Sequence, residues 1–477
     1  MIRLRIALLS AGALLLQQPM IPRTWDAPEL ATFELPLVQA DRSALHATPD
    51  YYYRLAVRPI YKSYPVYAPG TEPAGYLEWL AQQEPALGFD PPALGTDAEW
   101  IAAGEAVFDA PIGYGATFKV ATLRDRDWYE RNHVPVTKDG IMPFSRYVIR
   151  RKGVVEAGSG SCLMCHARVM ADGALLKGAQ GNFPADRIVA DNLRQQAAAA
   201  KDPEALLAGI RLGQRTFFSM PWLRPDPIAR VASMSIDDIA RAYDAVPVGA
   251  STRVNLSLFT PAQIPDLIGL RDRRFLDHTG LVQQRSIADL MRYVAIVQGA
   301  NAFARFGDFL LVDPVPDPTK MERYSDEQLY ALGRYLYSLT PPPNPNTASA
   351  LSERGRRVFV REGCNACHTA PLYTSNKLTP VAGFRVPDAH RQRYGIIDRS
   401  VGTDPELALR TRKGTGYYKV PSLKGVWYRG PFHHAGAVKT LDEWFDPARP
   451  SRVPGHPFGL KLTPEDRHAL IAFLGTL

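Results

Sequence analysis

All four cysteines of this 477-residue chain fall in two pentapeptides, Cys162-Leu163-Met164-Cys165-His166 and Cys364-Asn365-Ala366-Cys367-His368. Each has the C-x-x-C-H spacing that lets two thiols add across the vinyl groups of one haem, while the adjacent histidine turns beneath the iron as proximal ligand. A structural zinc would need four ligands clustered at each site, and a redox dithiol has no use for a histidine directly after its second cysteine. The sequence therefore predicts two covalently attached haem c groups. Cys162, Cys165, Cys364 and Cys367 are the thioether anchors, and His166 and His368 are the iron ligands.

The N-terminus suits such a cofactor, which is attached outside the cytoplasm. A basic head, Met1 to Arg5, precedes an apolar or small-residue stretch from Ile6 to Leu16. That length is too short to span a bilayer and matches a signal-peptide core. Residues 1–24 are thus expected to be a signal peptide or N-terminal anchor, and the protein periplasmic or secreted. Gln17-Gln18-Pro19 offers no small-x-small cleavage pattern, which leaves an uncleaved membrane tether open. Hydrophobic residues at 46% with 22% charged describe an ordinary globular protein. The net charge of +8 is spread along the chain rather than gathered into a basic tract. It favours an acidic redox partner and argues against nucleic-acid binding.

The two haem regions share three blocks in the same order. Gly104-Glu105-Ala106-Val107-Phe108 resembles Gly355-Arg356-Arg357-Val358-Phe359. Ile264-Pro265-Asp266-Leu267 matches Val420-Pro421-Ser422-Leu423. The apolar stripe Ala331, Leu332, Tyr335, Leu336, Leu339 corresponds to Ala469, Leu470, Phe473, Leu474, Leu477, the face an amphipathic helix turns to a core. Ser325 and Thr463 are placed as N-caps. The expected architecture is mainly α: two cytochrome c-type domains in tandem, with loop-rich insertions and an N-terminal extension. The N-terminal unit covers residues 98–340 and the C-terminal unit residues 347–477. Pro341 to Asn346 forms the linker, and residues 25–97 an extended wrapping segment. Gly355 precedes Cys364 by 9 residues and Gly104 precedes Cys162 by 58, so the first copy carries an insert of about 49 residues. Further helices are read at Asn192 to Ile210, at Ser235 to Tyr243 and at Ser286 to Phe309.

From about residue 98 onward the chain resembles the bacterial di-haem cytochrome c peroxidases and the related methylamine-utilisation enzymes (MauG). The motifs are Val420-Pro421-Ser422-Leu423, Pro431-Phe432-His433-His434-Ala435-Gly436 and Thr440-Leu441. The extra polypeptide around the first haem resembles the larger branch containing the di-haem rubber oxygenases. The resemblance implies a reactive haem at His166 and an electron-relay haem at His368. It implies dioxygen or hydrogen peroxide as small-molecule oxidant, with an organic substrate or redox protein as further partner. Calcium is an additional cofactor left open.

Three departures sharpen the expectation. The family's relay haem takes a methionine at a position that aligns with Ala448, and the last methionine here is Met321. The sixth ligand must be something else, and the histidines of that half are His390, His433, His434, His456 and His468. His434 aligns with the family's fixed histidine and is favoured, with His433 next. The family's bridging tryptophan is also missing from Arg274-Phe275-Leu276-Asp277-His278-Thr279-Gly280. His278 can bridge, approach the first iron or hold a propionate, and Phe275 is an alternative bridge or a core residue. Finally, the helix after this block offers Asp289, Arg292, Gln298 and Asp308 as groups that could move a proton over the first iron. Its otherwise apolar face, with Met291, Tyr293, Val294, Ile296 and Val297, suits dioxygen or an oily substrate.

Overall fold

A computed structural model describes residues 19–115 and 118–477. The expected leader lies, up to residue 18, outside the described residues. Among the described residues no helix is long and apolar enough to cross a membrane. Helix accounts for 38% and strand for 13%, so helices dominate without being the whole fold.

One close helix crossing in each half of the chain organises the molecule. In the first half α1 (Asp97–Asp109), α2 (Ile287–Val297) and α3 (Asp326–Ser338) pack together. In the second, α4 (Ala350–Arg361) crosses α5 (Pro464–Gly475). The crossings are alike in atomic detail. A Cβ on Gly104 would meet the Ala331 carbonyl oxygen at 2.0 Å, and one on Gly355 would meet that of Ala469 at 1.9 Å. One turn on, the Phe108 and Tyr335 rings are 5.3 Å apart and the Phe359 and Phe473 rings 5.4 Å. The repeated glycine exists because two backbones touch there. Thr96 and Ser325 cap α1 and α3 in capping boxes, and Thr463 accepts the Asp466 N–H at the start of α5.

The helices read from sequence end where local chemistry stops them. The stretch 192–210 belongs to two helices, Ala185–Ala199 and Pro203–Phe218. Asp202 caps the second and Pro203 occupies its first turn, a combination that starts a helix rather than continues one. α2 stops at Val297, well short of Phe309, because Gly299 takes φ +139, a conformation for which glycine has no steric penalty.

The insert and the N-terminal segment make a sheet together. β1 (Ser63–Tyr67), β2 (Gly113–Tyr114), β3 (Ile141–Arg151) and β4 (Val154–Ser159) form a four-stranded antiparallel sheet in the order β1-β3-β4-β2. Residues 25–97 do more than wrap. Trp25, Phe33 and Tyr52 are fully buried, with Tyr52 stacked on Trp25 at 4.3 Å, in the same core as Phe108 and Leu332. Asn344 and Asn346, in the linker, both donate to the Gly475 carbonyl and tie it to the end of α5.

Candidate functional site

The two C-x-x-C-H segments each form a single helical turn, Leu163–His166 and Cys364–Ala366. The turn brings each histidine back beneath its own cysteines. His166 Nδ1 lies 3.1 Å from the Pro265 carbonyl oxygen and His368 Nδ1 lies 3.2 Å from that of Tyr373, with the Pro421 carbonyl also bearing on it. A proton held on Nδ1 by a backbone carbonyl leaves Nε2 free, the tautomer a metal-binding imidazole needs. Pro265 and Pro421 are the equivalent prolines of the duplicated block. Burial, with the charge of Arg253, pushes the His166 pKa down to about 3, and burial lowers that of His368 as well. Both rings are therefore neutral and competent as ligands.

Beside Cys364, Cys367 and His368 lies a cavity of about 280 Å³. α4 and α5 supply Phe359, Leu470 and Leu474, and the first half of the chain supplies Pro265, Arg273, Phe275 and His278. Lys419 also lines it; burial, reinforced by Arg273, brings its pKa down to about 7. The Asp277 carboxylate acts on it in the opposite sense, and Asp266 lines the same wall. His433 presents two buried ring nitrogens without hydrogen-bond partners, and His456 presents one. An apolar slot with basic residues on its wall and unsatisfied imidazoles fits a flat macrocycle bearing two carboxylates and a metal. These residues fit a haem.

The sequence-derived candidates separate here. His278 and Phe275 both line this cavity. Nε2 of His278 is 2.6 Å from the Gln263 carbonyl oxygen, so the ring stands on the wall of the C-terminal cavity with that nitrogen engaged. Phe275 is at the same time fully buried against Leu35, Leu378 and Tyr417. Arg292 points elsewhere: it pairs with Asp289 at 2.9 Å, both buried, and its other carboxylate neighbour is Glu29. The Glu29 contact, at 3.9 Å, ties α2 to the N-terminal segment. His434 stacks on Tyr418 at 4.3 Å with its Nε2 3.2 Å from the phenol oxygen. Ala448 is exposed. The ring that stands across from His368 is His456, with centres 6.5 Å apart.

Around the N-terminal attachment point the surroundings are more polar than α2 suggested. Gln298 Nε2 is 4.0 Å from Cys162 Sγ, which sets the end of α2 at the first haem segment. Asp277 accepts from Lys413 Nζ at 2.6 Å and from the Tyr293 hydroxyl at 2.9 Å, and Asp277 and Tyr293 both act electrostatically on Arg253. The positive charge of Arg253 reaches Cys165 and His166. Sequence reasoning missed Arg253 and Lys413 because neither lies on the helix it examined. Among the described residues no group of three or more His, Cys, Asp or Glu side chains is arranged to hold a metal ion, so the calcium expectation finds no such site.

Comparison with known proteins agrees with this chemistry. No family model matches the chain. It is 32% identical over 152 residues to the cytochrome-c peroxidase IdrP1 of Denitromonas iodatirespirans, covering 27% of this chain and 40% of that protein. It is 23% identical over 161 residues to the cytochrome c551 peroxidase of Pseudomonas aeruginosa, covering 32% and 43%. The chain thus spans less than half the length of the curated relatives it matches. Among solved structures, hydrazine synthase of Kuenenia stuttgartiensis aligns with a TM-score of 0.32 at 17% identity, over 56% of this chain and 87% of that one. A MauG-like protein associated with microbial copper homeostasis aligns with a TM-score of 0.29 at 17% identity, over 46% and 73%. The sequence likeness is to cytochrome c peroxidases.

Proposed function

We propose that this protein is an exported di-haem c-type cytochrome oxidoreductase built from two cytochrome c units. One haem is held by Cys162, Cys165 and His166, the other by Cys364, Cys367 and His368. The haems supply one-electron chemistry, the second relaying electrons and the first reacting with hydrogen peroxide or dioxygen. The observation that carries this reading is the position of Pro265. Its carbonyl oxygen is 3.1 Å from His166 Nδ1, and the same residue lines the cavity beside His368. One residue connects the proximal ligand of one site to the wall of the other.

The residues of the chain divide the remaining work. Pro265 holds the proton of His166 on Nδ1 and keeps the ring oriented. Lys419, Arg273 and Arg429 line the second cavity and neutralise the carboxylates of its occupant. Arg253, half-buried, places a positive charge beside the first site, where it stabilises negative charge that develops on a bound oxidant. Among the described residues His166 has no ring contact of the kind His368 makes with His456, which supports the first site as the reactive one.

The test is rapid mixing of the fully reduced, haem-loaded protein with hydrogen peroxide and, separately, with dioxygen. The reading expects fast oxidation of both haems by one of the two. Oxidation no faster than that of a simple electron-transfer cytochrome by either oxidant contradicts it.

A further inference from the structure

We propose that His456 is the sixth ligand of the iron held at His368, and that Arg449 is the residue that positions it. This rests on the assignment of a haem to the Cys364–His368 segment. The His368 and His456 rings are 6.5 Å apart, centre to centre, with planes inclined at 56°. Two imidazoles on opposite faces of one metal, each with a metal–nitrogen distance of about 2 Å and a ring centre about 1.2 Å further out, lie roughly 6.4 Å apart. The two rings already stand at the separation that one shared iron requires.

The loop that carries His456 is held there at a cost. His456 adopts φ +44, a left-handed conformation that strains a residue with a side chain. Its Nδ1 is buried with no hydrogen-bond partner among the described residues, which leaves a polar group unpaired. Arg449 offsets the strain. It is 1% exposed and has no carboxylate partner; its guanidinium donates to the carbonyls of Trp444 and Val453 at 2.9 Å and of Gly455 and His456 at 2.8 Å. Four carbonyls on one planar fork fix the path of residues 453–456 in a way an ammonium could not. The His456 N–H donates to the Val401 carbonyl at 2.6 Å, and the rings of Trp444 and Phe458 flank the imidazole at 5.2 and 5.3 Å. A strained, clamped histidine facing a proximal ligand is arranged to bind.

His433 and His434 line the same cavity, but among the described residues neither ring has the contact with His368 that His456 makes. His434 is stacked on Tyr418 and shares a hydrogen bond with it. His433 has free ring nitrogens, but its ring contacts are His434 at 3.8 Å and Trp444 at 6.5 Å. Two histidines lack the potential-raising effect of a methionine ligand, so this haem sits below the potential that a methionine-ligated relay would have.

The experiment is electron paramagnetic resonance and near-infrared magnetic circular dichroism of the oxidised full-length protein, matured with haem in a periplasm. His456→Ala is expected to remove one low-spin signal, add a high-spin one, and recover the low-spin form with added imidazole. His456→Met is expected to produce a methionine-to-iron charge-transfer band and a higher midpoint potential. Arg449→Lys should give a mixture of spin states at normal haem content, whereas His434→Ala should leave the low-spin signal in place. An unchanged low-spin signal in His456→Ala, or its loss in His433→Ala, overturns the ligand assignment. A haem c content below two per chain in the unmodified protein instead removes the proposed function itself.

Discussion

Asp277 is buried, and the ammonium of Lys413 at 2.6 Å and the charge of Arg253 hold its carboxyl well below the usual carboxylate range. Removing one partner of such a pair leaves an uncompensated charge in a low-dielectric interior, which costs about 3–5 kcal/mol. Lys413→Met should therefore destabilise the protein by that amount in denaturant unfolding, and Asp277→Asn added to it should recover part of the loss. His278 gives a pH counterpart. Burial, reinforced by the charge of Lys419, brings its pKa down to about 4, below the free value of about 6.5. The stability associated with this neutral ring is complete above the free value and is lost as pH falls toward the folded one. His278→Gln should show a shallower loss across that window, measured as unfolding midpoint against pH. At this scale the sequence was legible wherever a residue's partner is local. The proposed haem anchors and proximal histidines stand in one pentapeptide each. Lys413 and Asp277 are 136 positions apart, and the choice of His456 over His434 depends on a loop conformation held by Arg449.

Helix packing gives a test of the duplication. Gly355→Ala inserts a methyl where the Ala469 carbonyl stands at 1.9 Å from the new carbon. Overpacking of this kind costs about 1–3 kcal/mol, and the rigidity of the backbone atom it meets sets the upper end. Gly209 lies in the helix Pro203–Phe218 with nothing within 4 Å of a new Cβ, so Gly209→Ala should stabilise by about 0.5–1 kcal/mol. Thermal unfolding followed at the helical circular-dichroism band should move in opposite directions for the two variants. The helices of the duplicated units were readable because their apolar stripes repeat with helical spacing and their caps are intact. The sheet was harder. Its β1 comes from the segment read as a wrapping extension and carries Pro65 at its centre, a residue that argues against a strand, while β3 is buried along most of its length and does not show the alternation that marks a half-buried strand.

Across the whole molecule the two halves share walls. Phe275, His278 and Pro265 of the first half line the cavity of the second, and Lys413 of the second half neutralises Asp277 of the first. This interlocking places the two sites on either side of one residue, Pro265, and makes them unequal: the second faces a clamped histidine, the first a half-buried arginine and tyrosine. That inequality was only partly legible, since the insert marked the first site as different while the residues around it come from distant parts of the chain. The central claim is that one haem is open to a small ligand and the other is closed. Carbon monoxide titration of the fully reduced, di-haem protein tests it most directly. The account predicts one carbon monoxide bound per chain with the second haem spectrum unchanged. No binding, or two equivalents bound, would contradict it.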